Sequence, residues 1–312
     1  MLAGALAMAG FAQAATDPLA QANAALQAGE ADRALTLLDS PPPSAESHNL
    51  KCRVLYTLER WDAAASECEK AVAMDGQNSS DHMWLGRALG EKAGRASFLS
   101  AYSLAKRVRM EFETAVRLNP RNAAALADLG EFYNAAPGIV GGGVDKAEGV
   151  AAHLDKVDAA RAHELRGRIA AARKDYAGAE REFKQAIAAS EHPAFQWMTL
   201  ASFYRQRERW TEMEAAVQSG VKAAQRDRHA GVALFNGASV VSQAGKNPAL
   251  AARMLEDYLA GSSRTEEAPA FVAHTRLARL DAQLGDAAGA RRERAAALEL
   301  AHEYRPAQDL KF

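Results

Sequence analysis

The sequence predicts an all-α protein built as a solenoid of stacked helix pairs, and two observations predict it. Small residues recur at a fixed interval. Gly167 is followed twelve residues on by Ala179, then by Phe183 and Ala186; Ala201, 34 residues after Gly167, opens the series again with Met213, Val217 and Gly220. Tyr176 and Trp210 mark the same place in the two copies. The second observation is compositional. Of 312 residues 48 % are hydrophobic, much of this alanine; aromatics are 7 %, and strand-type runs of Val, Ile and Thr are absent. Alanine is the best helix former and strands need β-branched runs, so the pattern reads as helix throughout.

The spacing has a steric cause. Two antiparallel helices approach closely only where side chains are small, so Gly167 and Ala179, flanking a turn, are expected to meet. Phe183 and Ala186 follow on the same face as core knob and inter-repeat contact. One hairpin cannot bury both of its faces, so copies must stack.

Met1–Phe11 is apolar and small, and Ala12-Gln13-Ala14 offers an Ala-x-Ala cleavage site. Residues 1–14 therefore read as a secretory signal cut after Ala14, although the usual positive n-region is missing; the alternative is an uncleaved helix. On the first reading the mature protein is exported, to the periplasm or beyond. No later stretch is apolar over the ~20 residues that a spanning helix needs.

Residues 15–312 read as the solenoid. A degenerate N-terminal capping hairpin occupies 15–43: Gln21–Ala28, a turn at Gly29, Ala31–Leu38, and a stop at Pro41-Pro42-Pro43, since proline lacks a donor and clashes with the preceding turn. Regular repeats with two insertions fill 44–260. The first has Cys52 at the small position, Trp61 at the turn, and Ala64, Cys68 and Ala71 on the second helix. The next small position, Gly86, begins a longer hairpin. Its large residue is Phe112, ten residues late, which puts an insertion near 93–106 and allows one helix from Ser97 to Leu118. Leu129-Gly130 opens the fourth repeat, interrupted at 135–143 by Pro137-Gly138-Ile139-Val140-Gly141-Gly142-Gly143 before a helix resumes near Asp145. Repeats five and six are the regular pair. The seventh has Gly237 or Ser239 at its small position and turns at Gly245–Pro248, where proline suits the first helical position. A C-terminal capping hairpin at 266–304 carries Ala278, Ala290 and Arg294, the arginine standing where a large apolar residue belongs. Arg305–Phe312 reads as irregular.

These repeats resemble the tetratricopeptide repeat (TPR) family over roughly Ser44 to Ala301, most strongly at Gly167–Ala186 and Cys52–Ala71. The resemblance implies a right-handed superhelix of about seven to eight helix-turn-helix hairpins, with a concave groove that binds peptides or protein segments and no catalysis. The long third hairpin with the Pro-Gly-Ile-Val-Gly-Gly-Gly loop is also similar to a group of exported bacterial TPR proteins, a likeness that brings no activity with it.

On this reading groove residues follow each small position: Arg53, Arg87, Glu131, Arg168, Ser202 and Arg279, with Arg205 one turn beyond Ser202. Guanidinium groups recognise carboxylates bidentately, so an acidic or carboxylate-terminated partner segment fits this stripe. Alternatively the arginines pair with acidic residues of adjacent helices, such as Glu131 or Glu164. The glycine loop reads as a flexible connection, as an anion nest, or as an edge surface in which Ile139 and Val140 pack on Phe98 and Tyr102. Cys52 and Cys68 face each other across one hairpin, either bridged or as buried thiols.

Formal net charge is −1, which gives no overall push toward nucleic acid. The eight histidines form no HExxH or other ligand cluster, and no Gly-x-Ser-x-Gly elbow occurs, so neither an enzyme, a metal nor a cofactor is implied. The function expected is a protein–protein adaptor in the cell envelope. The alternatives are a homo-oligomer assembled through Phe98, Tyr102, Ile139 and Val140, or a small-ligand or glycan carrier using Tyr56 and Phe195.

Overall fold

A computed structural model describes residues 17–227 and 229–312; the signal segment expected at 1–14 lies outside them. Among these residues the chain forms seventeen α-helices and one 3-10 turn, with no strand. Hairpin 1 pairs α1 (Pro18–Ala28) with α2 (Ala31–Leu38), and hairpin 2 pairs α3 (Ala45–Thr57) with α4 (Trp61–Met74). Hairpin 3 is α5 (Ser79–Ala93) and α6 (Phe98–Leu118); hairpin 4 is α7 (Ala123–Ala135) and α8 (Val144–Leu154), with the 3-10 turn Gly138–Val140 between them. Hairpins 5 and 6 are α9 (Ala159–Ala172) with α10 (Tyr176–Ala189) and α11 (Ala194–Gln206) with α12 (Trp210–Ala224). Hairpin 7 is α13 (Gly231–Gln243) and α14 (Pro248–Ala260), hairpin 8 is α15 (Ala270–Leu284) and α16 (Ala287–Leu300), and α17 (Arg305–Gln308) ends the array.

Local chemistry sets the boundaries. Asp17, Ser44, Asn78, Asn122 and Asp158 each accept a first-turn amide at the start of a hairpin, which satisfies donors the helix cannot. Several turns need one left-handed residue. Glycine supplies it in hairpins 1, 7 and 8 (Gly29, Gly245, Gly285); Glu59, Lys174 and Glu208 are held at φ 56–63° in hairpins 2, 5 and 6.

Hairpins 2, 3 and 5 close at the crossing that the spacing marks. The group nearest Gly167 is the ring of Phe183, not Ala179: a Cβ on Gly167 would lie 2.7 Å from it, and one on Gly86 would lie 2.5 Å from the ring of Phe112. In hairpin 2 the same two places hold Cys52 and Cys68, which form a disulfide with Cα atoms 5.2 Å apart. A second contact repeats one turn away. His48, His82, His163 and His274, four residues before the small position, bond through Nδ1 to Glu67, Glu111, Glu182 and Glu293, one residue before the large position, at 2.6–2.8 Å. The ten extra residues of hairpin 3 lengthen α6 at its N-terminus by about three turns, and the register beyond them is unchanged.

The array bends until its ends meet. Ala22, Leu26 and Ala34 of hairpin 1, Leu50 and Val54 of α3, and Phe271, Ala297 and Tyr304 at the C-terminal end share one apolar core. Around it Arg53 pairs with Glu266 at 2.5 Å, Arg60 with Glu303 at 2.7 Å and His302 with Asp32 at 2.7 Å, while the Tyr304 hydroxyl donates to Glu59 at 3.1 Å. The terminal hairpins, expected as two separate polar caps, therefore cover each other. Tyr304 and Ala307 are buried in this seam, which orders the tail expected to be irregular. Arg294 serves the same end by donating to the carbonyls of Ala307 and Gln308 rather than to water.

Candidate functional site

The inner helices of the array line clefts that stay open to solvent. Residues of α7, α9, α11 and α13 line two adjoining cavities of about 660 and 820 Å³, which share Glu131, Arg168 and Phe195. Glu267, from the link before α15, also lines the larger one.

Three arginines of the stripe are engaged by carboxylates. Arg53 holds Glu266 with two hydrogen bonds. Arg87 holds Asp128 at 2.6 Å and stacks on Trp84. Arg168 lies 2.9 Å from Glu164 and 3.6 Å from Glu131. Burial alone would make the Arg168 guanidinium easier to deprotonate; the two carboxylates outweigh it and hold its pKa above the ordinary value. Arg279 donates to the Pro306 carbonyl. Arg205 lines neither cavity, and its Nε is buried without a partner. The acidic partner expected from this stripe loses much of its basis: Arg53, Arg87 and Arg168 are already answered by carboxylates of the chain itself, while Arg279 and Arg205 face no carboxylate among the described residues.

Two rows of neutral side chains carry much of the open hydrogen-bonding capacity, beside Arg207, which stacks on Tyr176 at 3.8 Å and makes no side-chain hydrogen bond among the described residues. Thr199, Ser202 and Gln206 on α11 and Asn236, Ser239 and Gln243 on α13 line the smaller cavity at i, i+3 and i+7, one helix face each. Ser202, Gln206, Asn236 and Gln243 make no side-chain hydrogen bond among the described residues. The two rows are 37 residues apart, a register visible in the sequence that the search for charged residues passed over. Phe195, 37 % exposed, stands where the two cavities join. Arg276 was also missed; its guanidinium stacks on Phe235 at 4.1 Å and donates to Ser239, and burial lowers its pKa.

Other expectations change with the structure. Tyr56 packs edge-on between Trp61 and Trp84, and burial, with Glu91 nearby, pushes its hydroxyl pKa up to about 12, so it is core rather than ligand platform. The glycine loop is neither a loose spacer nor an anion nest. Gly141, Gly142 and Gly143 donate their N–H groups to the carbonyls of Gly138, Pro137 and Tyr133. Any side chain on Gly141 would strike Arg109, and one on Gly142 would strike the Ala136 carbonyl. Val140 is buried and so is no part of an edge surface. The loop packs near Arg109 of α6, eleven residues or roughly 16 Å along the helix from Phe98. Phe98 and Leu99 stay exposed at the free tip of α6, with Tyr102 one turn in and Ile139 exposed on the loop.

Among the described residues no set of three His, Cys, Asp or Glu side chains is arranged to hold a metal ion, and no helix is long and apolar enough to cross a membrane. Six of the eight histidines bond a carboxylate through Nδ1, four of them in the repeated clasp.

No family model matches the chain, and no curated protein matches it. Among solved structures it is similar to TTC0263, a thermophilic TPR protein of Thermus thermophilus, at 22 % identity over 69 % of this chain and 99 % of that one, TM-score 0.44. It is similar to pilF of Pseudomonas aeruginosa at 14 % identity over 86 % and 97 %, TM-score 0.43. It is also similar to a human IFIT1 dimer with PPP-AAAA at 16 % identity over 86 % and 65 %, TM-score 0.44. These likenesses concern fold alone; the crossings and the 34-residue hairpins of the chain itself make it a TPR-like helical solenoid.

Proposed function

We propose that this protein is a protein–protein interaction scaffold whose inner face takes an extended segment of a partner. The observation that carries this reading is the pair of side-chain rows on α11 and α13. Four hydrogen-bonding groups face a cavity of about 660 Å³ with no partner of their own. Buried polar groups are normally satisfied; Ser202 and Asn236 are half-buried and Gln206 and Gln243 exposed, so this concave wall is free to take the amides of a bound chain. The scaffold reading extends to an exported, envelope-located protein. The apolar leader with Ala12-Gln13-Ala14 supports this, and so does the Cys52–Cys68 disulfide, a bond that persists in oxidising compartments.

Filling the cavity tests the reading. Protein carrying Ser202→Trp and Asn236→Trp should lose the partner that wild type captures from an envelope extract, while an outer-face variant, Arg181→Glu, should keep it. Capture unchanged by the two tryptophans would reject the inner face as the site.

A second reading, self-assembly, has one observation in its favour: Phe98 is 84 % and Leu99 is 80 % exposed at the tip of α6. Neighbouring apolar side chains this open are unusual on a monomer. A dimer seen by light scattering and lost in Phe98→Asp would support it; a monomer at all concentrations would end it.

A further inference from the structure

The larger cavity has a definite sign. Asp128, Glu131, Asp158, Glu164, Glu191 and Glu267 line it, and the arginines that line it among the described residues are Arg161 and Arg168; Asp128 is held by Arg87, and His192, bonded to Asp227, and His229 also line it. Both arginines are already engaged, with Asp158 and with Glu164 and Glu131. Glu191 and Glu267 are exposed and carry no side-chain hydrogen bond or ion pair among the described residues, the charge of Glu267 exerting a Coulombic pull on Arg87. Gln196 lines the same cavity; it is nine-tenths buried, and its Oε1 has no hydrogen-bond partner among the described residues. An unanswered acceptor beneath surplus carboxylates calls for a donor with positive charge. Phe195 adds an aromatic face at the junction with the smaller cavity, where a cation or its alkyl stem can rest.

We propose that this acidic mouth takes lysine or arginine side chains of the partner segment. The inference rests on the scaffold reading above and fixes the charge of the partner, opposite to the charge the arginine stripe suggested. The segment enters with its basic residues among Glu191, Glu267 and Gln196, and its neutral remainder lies along Ser202, Gln206, Asn236 and Gln243. Charge complementarity of this kind sets partner choice and association rate and weakens with salt.

The test uses the full chain and three fluorescein-labelled decapeptides of alternating glycine with lysine, glutamate or glutamine, read by fluorescence anisotropy. The lysine peptide should bind best, and Glu191→Lys with Glu267→Lys should weaken it by about tenfold. The same charge change on outer helices, Glu214→Lys with Glu256→Lys, should leave it unaltered. A glutamate or glutamine peptide that binds as well as the lysine peptide would overturn the proposal. So would equal loss in the two double variants, or full competition by spermidine at matched charge, which would mark the mouth as a polyamine site. If the lysine preference is missing while the tryptophan variants still abolish capture, the scaffold reading stands without this inference. If capture is indifferent to the tryptophans and no peptide binds, the scaffold reading itself fails.

Discussion

Hairpins 2 and 5 cross at the same register and hold that crossing by different means. Both carry the histidine–glutamate clasp, His48–Glu67 at 2.6 Å and His163–Glu182 at 2.8 Å. At the crossing, hairpin 5 sets the ring of Phe183 against Gly167, and hairpin 2 sets Cys52 against Cys68. The ring works by filling volume; the disulfide fills little and instead limits the unfolded chain. Hairpin 5 sits in mid-array with packed neighbours on both sides. Hairpin 2 carries the seam: Leu50, Val54 and Leu58 join its core, and Arg53, Glu59 and Arg60 make its polar contacts. The covalent tie thus lies in the hairpin that must hold first and last helices together, while interior hairpins rely on packing.

Five variants test this contrast, beginning with the largest effect. Phe183→Ala should cost about 3–5 kcal/mol, because a buried ring leaves a cavity facing a glycine that cannot fill it. Urea unfolding measures it, and a loss under 1 kcal/mol would show that the crossing is not held by the ring. Replacing Cys52 and Cys68 by alanine should cost about 3 kcal/mol, the loop-closure value for a separation of 16 residues. Reduced wild type should match the double variant. Should reduction change nothing, hairpin 2 is held by its packing as hairpin 5 is.

Acid sharpens the comparison next. Glu180 of hairpin 5 is bonded by Lys184 at 2.7 Å, Arg209 at 2.5 Å and Tyr204 at 2.9 Å, tying α10 to hairpin 6. Led by the Lys184 bond, these contacts outweigh burial and draw its pKa down to about 2. A depressed carboxylate stabilises the fold above its unfolded pKa of about 4.3 and loses that contribution as pH falls toward 2. Thermal melts of Glu180→Gln should therefore decline less than wild type between these limits, and parallel declines would remove Glu180 from the account. The smallest effect concerns the two left-handed turns. Lys174→Gly should stabilise by about 0.5–1 kcal/mol, the relief of strain less the added freedom of the unfolded chain. Glu59→Gly should bring no such gain, since it also removes the acceptor of Tyr304. Equal shifts in the two would deny the seam contact any weight.

What the sequence made legible followed from local sterics. The crossings at Gly86, Gly167 and Cys52, the turn at Gly29, the long α6 and the interruption before α8 all come from spacing within one or two hairpins. The histidine clasps had an equally local signal, minus four from the small position and minus one from the large. They went unread because the histidines were scanned for clusters rather than for register. The seam left no such trace. Arg53 meets a glutamate 213 residues away and His302 an aspartate 270 residues away, and no spacing rule reaches that far. The arginine stripe misled for the same reason: its row on successive helices was real, but what each guanidinium faces depends on curvature and on which helix comes next to it.

The seam has a consequence for how such a molecule can change over generations. An open stack tolerates duplication or loss of a unit, because a new end simply replaces the old one. Here the first and last units are each other's neighbours, so a ninth copy would have to prise Phe271 and Tyr304 from Leu26 and Val54 before it could be accommodated. Among the described residues, then, the closure resists an added hairpin, whereas the lengthened α6 and the glycine loop add residues without widening the ring.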